Sequence, residues 1–210
     1  MKKTLLIGVM MVAVATSSAT AEDGNIHCGF LGGFNISSVG FNPEQSYDLS
    51  ARNRANLGAF AEFAVTPNLL IETRGMYVQK GVKASSSEER FTANISANYL
   101  TFPLLLKVKA NRANWKPYFV VGGELGFKTS SGASLFAYGQ EEQDEDFNDG
   151  VKSTDFALDF GGGIEVPGKR VSFLIEGIYS LGLMNLVEVL DPDVTSAKTR
   201  TFLVNVGVRF

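Results

Sequence analysis

The 210-residue chain contains one cysteine, one histidine and one tryptophan, and these scarcities limit what it can do. A single cysteine cannot form an internal disulfide. The single histidine, His27, precedes the first predicted strand, which leaves no histidine for an acid–base or nucleophilic site elsewhere in the chain. The 19 basic and 22 acidic residues nearly balance, so charge indicates no nucleic-acid partner. We therefore expect neither an enzyme nor a nucleic-acid-binding protein.

Long apolar runs are absent beyond the first residues. Lys2 and Lys3 precede a short apolar stretch over residues 4–15, and Ala19-Thr20-Ala21 offers small residues for cleavage. This order is typical of a secretory signal peptide, and the stretch is shorter than the about 20 apolar residues of a membrane-spanning helix. We predict a signal peptide over residues 1–21 and one domain over residues 22–210.

What the chain has instead is alternation with a period of two residues, which is typical of strands with two different faces. The clearest segment sets Phe156, Leu158 and Phe160 against Asp155, Ala157 and Asp159. The alternation predicts eight strands, at residues 28–37, 56–65, 69–80, 98–109, 117–128, 155–166, 171–181 and 200–210.

The connections between these segments alternate in length without exception. Long connections at 38–55, 81–97, 129–154 and 182–199 enclose short ones at 66–68, 110–116 and 167–170. Transmembrane barrels have short periplasmic turns and long extracellular loops. A soluble β-sandwich would not need this alternation, and a lipocalin-type barrel has the opposite polarity. We predict an all-β, eight-stranded antiparallel up-and-down transmembrane barrel in the bacterial outer membrane.

The last predicted strand ends the chain on an aromatic residue. Phe202, Val204, Val206, Val208 and Phe210 share one face of it. A strand of this polarity with a free aromatic carboxyl end looks like the closing strand of an outer-membrane barrel. We therefore interpret Phe210 as an assembly signal read by the barrel assembly machinery.

Charged residues fall mainly on the inner face of the predicted strands. A lipid-facing Arg or Lys at mid-depth would cost about 2–4 kcal/mol, whereas an eight-stranded barrel is just wide enough for side chains to fill its interior. We expect the charges to pair and plug the lumen, with a conducting pore as the alternative. The inward set comprises Glu72, Arg74, Lys80, Lys107, Lys109, Glu124, Lys128, Asp155, Asp159, Glu165, Glu176 and Arg209.

An acidic loop over residues 140–150 has a spacing similar to that of a calcium loop. Asp144, Asp146 and Asn148 occupy alternate positions, and Asp155 stands at the twelfth position when Asp144 is counted as the first. Asp149 occupies the place of the usual glycine, however, and no helices flank the loop. A solvated acidic loop is the simpler interpretation. A Ca²⁺ site that bridges lipopolysaccharide phosphates is the alternative, and no other cofactor is predicted.

Six phrases carry a family resemblance: GFLGGFNIS at 29–37, YLTFPLLLK at 99–107, KPYFVVGG at 116–123, DFGGGIE at 159–165, YSLGLMNL at 179–186, and the terminal strand. In this order they resemble the PorT-like outer-membrane β-barrel family common in Bacteroidetes. The resemblance implies the barrel and its location, supplies no catalytic residues, and connects some members with protein secretion. Pro103, within the second phrase, cannot donate a ladder hydrogen bond and predicts a bulge or local break.

These patterns together favour a monomer in outer-membrane lipid and lipopolysaccharide. We expect a structural, adhesive or surface-interaction role for the four long loops. Two rivals remain: an accessory component of a secretion system with envelope partners, and a small-solute channel. The sequence indicates no ligand.

Overall fold

The fold was determined as a computed structural model, which describes residues 26–42, 48–86, 91–110, 114–137, 140–144, 153–185 and 196–210. The predicted signal peptide, residues 1–21, lies outside this part of the chain. No helix in the described ranges has the length and apolar character to span a membrane. The strands are β1 (Ile26–Asn42), β2 (Asp48–Ala64), β3 (Leu69–Ser86), β4 (Phe91–Lys109), β5 (Lys116–Ala137), β6 (Gln140–Asp144), β7 (Thr154–Pro167), β8 (Ser172–Asn185) and β9 (Ser196–Arg209).

All strands except β6 form one closed antiparallel ring. Its order is β1-β2-β3-β4-β5-β7-β8-β9, and β9 pairs back onto β1. Closure leaves no unpaired strand edge in the ring, which a sheet in lipid requires because no water can satisfy its backbone groups. The predicted eight-stranded barrel is confirmed. The five-residue β6 pairs with β5 and was predicted as part of a long loop.

Side chains alternate between an apolar outer surface and a buried interior. In β7, Phe156 and Leu158 are 40% and 41% exposed, whereas Ala157 and Asp159 are 1% and 3% exposed. The same alternation holds in β2, where Leu57 lies outside and Phe60 and Glu62 lie inside. An apolar surface that continues around a closed barrel matches the lipid-facing band of a membrane barrel.

The short turns lie at one end of the barrel, with Ile26 and Phe210, and we call this the turn end. In the first turn, the Thr66 hydroxyl accepts hydrogen bonds from the backbone N–H groups of Asn68 and Leu69 at 3.3 and 3.0 Å. The Asn68 side chain donates to the carbonyl of Lys109 at 2.8 Å. This turn is thereby tied to the end of β4.

Pro103 interrupts the pairing of β3 with β4 without shifting its register. Thr73 pairs with Leu104 on one side of the gap, and Met76 pairs with Thr101 on the other. Because the register is the same on both sides, the proline produces the local break and not the bulge. The register shift between β4 and β5 lies elsewhere, at Asn98 and Tyr99.

At the opposite end, the loop end, several strands continue well past the predicted bounds. The pairing of β4 with β5 reaches Phe91 and Ala137, and β5 alone has 22 residues. A tilted strand crosses the membrane in about 9–11 residues. Parts of the predicted loops 38–55, 81–97 and 129–154 are therefore paired strand. The sequence missed them because backbone pairing continues where the apolar alternation has ended.

Candidate functional site: the barrel lumen

Lys107 is the centre of the buried ion network near the turn end. Its ammonium lies 2.6 Å from Glu62 Oε1 and 3.0 Å from Glu72 Oε2, and 4.0 Å from the centroid of the Tyr118 ring. Lys107 and Glu72 are each 1% exposed, and Glu62 is fully buried. A charge this far from water needs such partners to remain ionised. Lys107 thus joins β2, β3 and β4 from the inside.

Arg74 crosses the full width of the barrel. It lies on β3, and its guanidinium donates to both carboxylate oxygens of Glu176 on β8, with Nη2 at 2.9 Å from Oε2. Strands β3 and β8 are four places apart in a ring of eight, so this bidentate pair spans opposite walls. Tyr118 and Asn205 also donate to Glu176, at 3.1 and 3.0 Å. Four strands therefore meet at one carboxylate.

A second group of charges closes the network at the turn end. Arg209 lies 2.8 Å from Glu62 Oε2 and 2.8 Å from Glu165 Oε1. Lys109 lies 3.1 Å from the other oxygen of Glu165. Because Glu62 contacts both Lys107 and Arg209, all of these ion pairs form one connected network.

Apolar side chains are buried in the interior together with the charges. They form one buried cluster that includes inward residues of seven of the eight ring strands. Tyr118 of this cluster contacts both Lys107 and Glu176, so the apolar and charged side chains pack against each other. The members of the cluster are Leu31, Phe60, Met76, Val78, Leu105, Tyr118, Val120, Leu174, Ile178 and Leu203.

A smaller polar cluster occupies the lumen toward the loop end. Lys80 lies 2.8 Å from Asp155 Oδ2 and 3.5 Å from Glu124 Oε1, and 5.2 Å from the centroid of the Tyr99 ring. Ser180 donates a hydrogen bond to the Asp159 carboxylate. We call Lys80, Glu124, Asp155 and Asp159 the upper cluster.

The structure places the predicted inward charges inside the barrel. All are buried except Arg209, which is nearly so at the turn end, and Lys128, which is half-buried at the loop end. The prediction omitted Glu62, Tyr118 and Asn205, which contact the same network. Glu62 could have been predicted from the sequence, because the alternation of β2 places it on the face opposite to the apolar residues Leu57 and Phe63.

The four residues of the hypothetical calcium loop are not assembled in the described part of the chain. Asp155 lies in β7 and pairs with Lys80, and Asp144 ends β6, opposite Ala133. Asp146 and Asn148 lie outside the described residues. Within those residues, no three His, Cys, Asp or Glu side chains are grouped to hold a metal ion. The calcium site stays an untested hypothesis.

Phe210 closes the ring at the turn end. Its backbone N–H donates to the carbonyl of Cys28 at 2.8 Å, and its ring packs edge-on against Phe30 with centroids 6.2 Å apart. The last residue therefore continues the pairing of β9 with β1 by one further hydrogen bond.

Comparison with known proteins agrees with this architecture. Residues 16–188 match the family described as "Outer membrane protein beta-barrel domain". The chain belongs to this family. Its location is therefore the bacterial outer membrane, with the turn end toward the periplasm and the loop end outside the cell.

Solved structures of small outer-membrane barrels are similar to the chain at low identity. Ail, the attachment invasion locus protein of Yersinia pestis, is 14% identical over 89% of this chain and 99% of Ail, with a TM-score of 0.46. OprG from Pseudomonas aeruginosa is 13% identical over 88% of this chain and 95% of OprG, with a TM-score of 0.47. No curated protein matches the sequence.

Proposed function

We propose that this protein is a non-conducting outer-membrane barrel that presents its extracellular strands and loops for contacts at the cell surface. The observation that carries the proposal is the lumen, which is crossed and filled by paired side chains. If the lumen is sealed, contacts with other molecules must be made at the ends of the barrel. Most of the chain that lies outside the membrane is at the extracellular end, so we place the contact surface there.

The sealing rests on contacts between strands that are not neighbours in the ring. Arg74 and Glu176 join opposite strands of the ring, and Lys109 and Glu165 join β4 to β7. Near the loop end, Asn35 on β1 donates to the backbone carbonyl of Gln79 on β3 at 2.8 Å. Side chains at three levels of the lumen thus bond between non-neighbouring strands, and the Arg74–Glu176 contact spans the full width of the barrel.

The extracellular end supports a surface role because it is built of paired strands. Outside the apolar band, β3 pairs with β4 as far as Ser86 and Phe91, and β5 pairs with both β4 and β6 over residues 133–137. A surface that is ordered before contact loses less conformational entropy on binding than a flexible loop does. We infer that these strands and the loops between them form the contact surface.

Conductance measurements test the sealed lumen. The refolded protein should give no steady current in planar bilayers, under conditions in which an inserted porin conducts. Steady single-channel steps from the wild-type protein would favour the small-solute channel and would remove the non-conducting part of the proposal.

A shortened barrel tests the surface role. Replacing residues 38–55, 81–97, 129–153 and 182–199 by tight turns should leave a barrel whose heat-modifiable gel mobility shows that it folds. Cells with the full-length protein should adhere to other cells or surfaces more than cells with the shortened barrel. Equal adhesion at equal surface expression would contradict the proposal.

The alternative function is that of an accessory component of outer-membrane protein secretion. The six PorT-like sequence phrases support it, whereas the short turns leave little periplasmic surface for a partner. Crosslinking in native membranes separates the two functions: a stoichiometric envelope partner would favour secretion.

We also propose a monomer that is exported by a cleaved signal peptide, inserted by the barrel assembly machinery and surrounded by lipopolysaccharide. Blue-native gels and N-terminal sequencing test the monomer and the cleavage.

A further inference from the structure

We propose that Lys198 and Arg200 form a binding site for a phosphate group of lipopolysaccharide, on the outer wall of the barrel where the apolar band meets the extracellular lipid headgroups. The inference rests on the outer-membrane location and deepens the proposal that lipopolysaccharide surrounds the barrel, and it does not depend on the surface role of the loops. It is carried by the height of the two cations on the wall, by their surroundings, and by a bulge beside them.

Lys198 and Arg200 lie at the border of the apolar band. Above the turn end, the outward face of β9 has a continuous apolar row over residues 202–210, which is nine residues long. A tilted strand crosses the hydrocarbon core in about 9–11 residues. Arg200 and Lys198 are the next two outward residues and both are exposed, whereas Thr199 between them is buried. The two cations therefore lie at the height of the extracellular headgroups.

Other strands of the described ring present uncharged side chains at this border. In five of them, the first outward residue beyond the apolar row is polar but carries no charge. A general preference for polar residues at the border therefore does not account for two cations in succession on β9. The five residues are Ser38 in β1, Gln79 in β3, Asn98 in β4, Thr129 in β5 and Thr154 in β7.

Neither cation has a partner of opposite charge among the described residues. The ion pairs in that part of the chain lie inside the barrel and involve neither Lys198 nor Arg200. Opposite Arg200 on β1 is Ser38, whose hydroxyl donates to the backbone carbonyl of Arg200 at 3.5 Å and leaves the guanidinium free. Opposite Lys198 on β1 is Gly40, which has no side chain. The described neighbours on β1 thus leave both charged groups open to a lipid.

The spacing of the two cations suits one phosphate group. Residues two apart in a strand point to the same side, with their Cα atoms about 6.6 Å apart. From that distance the long side chains of Lys198 and Arg200 reach a common anion. The guanidinium offers a planar pair of N–H donors to two phosphate oxygens, and the ammonium adds a compact charge. An anionic lipid headgroup is the partner that a basic pair at a membrane border attracts.

A bulge in β8 places apolar side chains beside the cations. Between two neighbouring pairs of the β8–β9 ladder, β8 has the three residues 182–184 where β9 has only Thr199. Leu183 and Met184 in this segment are 42% and 38% exposed. Bulges are common next to functional sites, where they re-aim side chains. Lipid A, the membrane anchor of lipopolysaccharide, combines phosphate groups with acyl chains, so the cations and the bulge match its two parts.

Titration of the refolded protein in detergent micelles with diphosphoryl lipid A tests the site. The lipid should shift the amide NMR signals of Ser38, Leu181 and Phe202 saturably. Lys198→Gln and Arg200→Gln should each weaken the apparent affinity about tenfold, which is the usual effect of losing one hydrogen bond to a charged group. Arg200→Lys should weaken it less than Arg200→Gln, because the charge is kept and only the paired donors are lost.

The matched control is the double variant Lys169→Gln/Arg170→Gln. It removes one lysine and one arginine, both exposed, from the turn at 167–170 at the other end of the barrel. It should bind lipid A as the wild type does, whereas Lys198→Gln/Arg200→Gln should not. Both double variants change exposed side chains only, so both should fold, and heat-modifiable mobility verifies this.

The source of the phosphate and the need for a metal ion are tested in the same titration. Lipid A without its phosphates, phosphatidylglycerol and inorganic phosphate should all bind more weakly, and binding of diphosphoryl lipid A should persist in EDTA. Equal affinity for any of the three would overturn the proposal, as would wild-type affinity of Lys198→Gln/Arg200→Gln or an equal loss in the control. Loss of binding in EDTA would also overturn it and would favour a metal bridge from the acidic loop at 140–150. The surface role is tested in cells with the shortened barrel, so either proposal can fail without the other.

Discussion

Replacing Lys107 by methionine is the most direct test of the idea that paired charges hold the lumen closed. The substitution keeps most of the side-chain volume and removes the ammonium that lies 2.6 Å from Glu62 and 3.0 Å from Glu72. Both carboxylates stay buried, and each loses one charge-assisted hydrogen bond. We therefore expect the free energy of unfolding to fall.

The size of the effect follows from the partners that remain. Breaking a buried ion pair costs about 3–5 kcal/mol when one charge is left without compensation. Here Glu62 keeps Arg209, and Glu72 keeps Arg74. We accordingly expect a loss near the lower limit, about 3 kcal/mol. Adding Glu72→Gln to Lys107→Met restores the charge balance and should cost less than the sum of the two single changes.

Equilibrium urea titration in lipid vesicles measures this loss. Trp115 is the only tryptophan, is 43% exposed and lies at the turn end, so its fluorescence reports insertion and unfolding. Lys169→Met, an exposed lysine in the turn at 167–170, is the control and should change stability by less than about 0.5 kcal/mol. A loss below about 1 kcal/mol for Lys107→Met would refute the reasoning, since it would mean that water screens the network.

Three further changes test other parts of the structure. Asp159→Asn should raise the free energy of unfolding by about 1 kcal/mol, because it removes a buried charge that Glu124 repels; a loss in the same urea titration would contradict this. Leu104→Arg, at the centre of the lipid-facing row of β4 and 61% exposed, should cost about 2–4 kcal/mol, and an unchanged urea midpoint would mean that this face does not contact lipid. Phe210→Ala should lower the amount of heat-modifiable protein in the outer membrane far more than it lowers stability in vitro, and equal amounts would refute the assembly-signal interpretation.

The sequence predicts the barrel well because neighbouring residues of each strand face two different environments, and the residue types alternate accordingly. In β7, the alternation of Phe156 and Leu158 with Ala157 and Asp159 follows from lipid on one side and a packed interior on the other. The number of strands, their order and the inward direction of the charges need no more than this pattern and the alternating loop lengths. The narrower PorT-like assignment and the signal peptide remain predictions.

The sequence could not predict where pairing ends or which charges meet. Strand β5 continues to Ala137 because its backbone bonds to β4 and β6, and that bonding leaves little trace in the composition. The sequence allowed either a bulge or a local break at Pro103. The choice depends on the register of β4 against β3, which the sequence of β4 alone does not contain. The alternation places Lys128 on the same inner face as Glu124, but it could not show that Lys128 is only half-buried. Lys128 lies at the loop end, where the interior is more open to solvent.

Alternation along the chain is thus enough to determine that this protein is a membrane barrel with its charges inside, because a period of two residues is a local property of a strand with unlike faces. The tertiary structure alone decides what those charges do. Arg74 and Glu176 are 102 residues apart in sequence, and only the closure of the ring and its register bring them together. The same closure joins Glu62, Glu72, Lys107, Glu165 and Arg209 into one network, a connection that no local pattern contains.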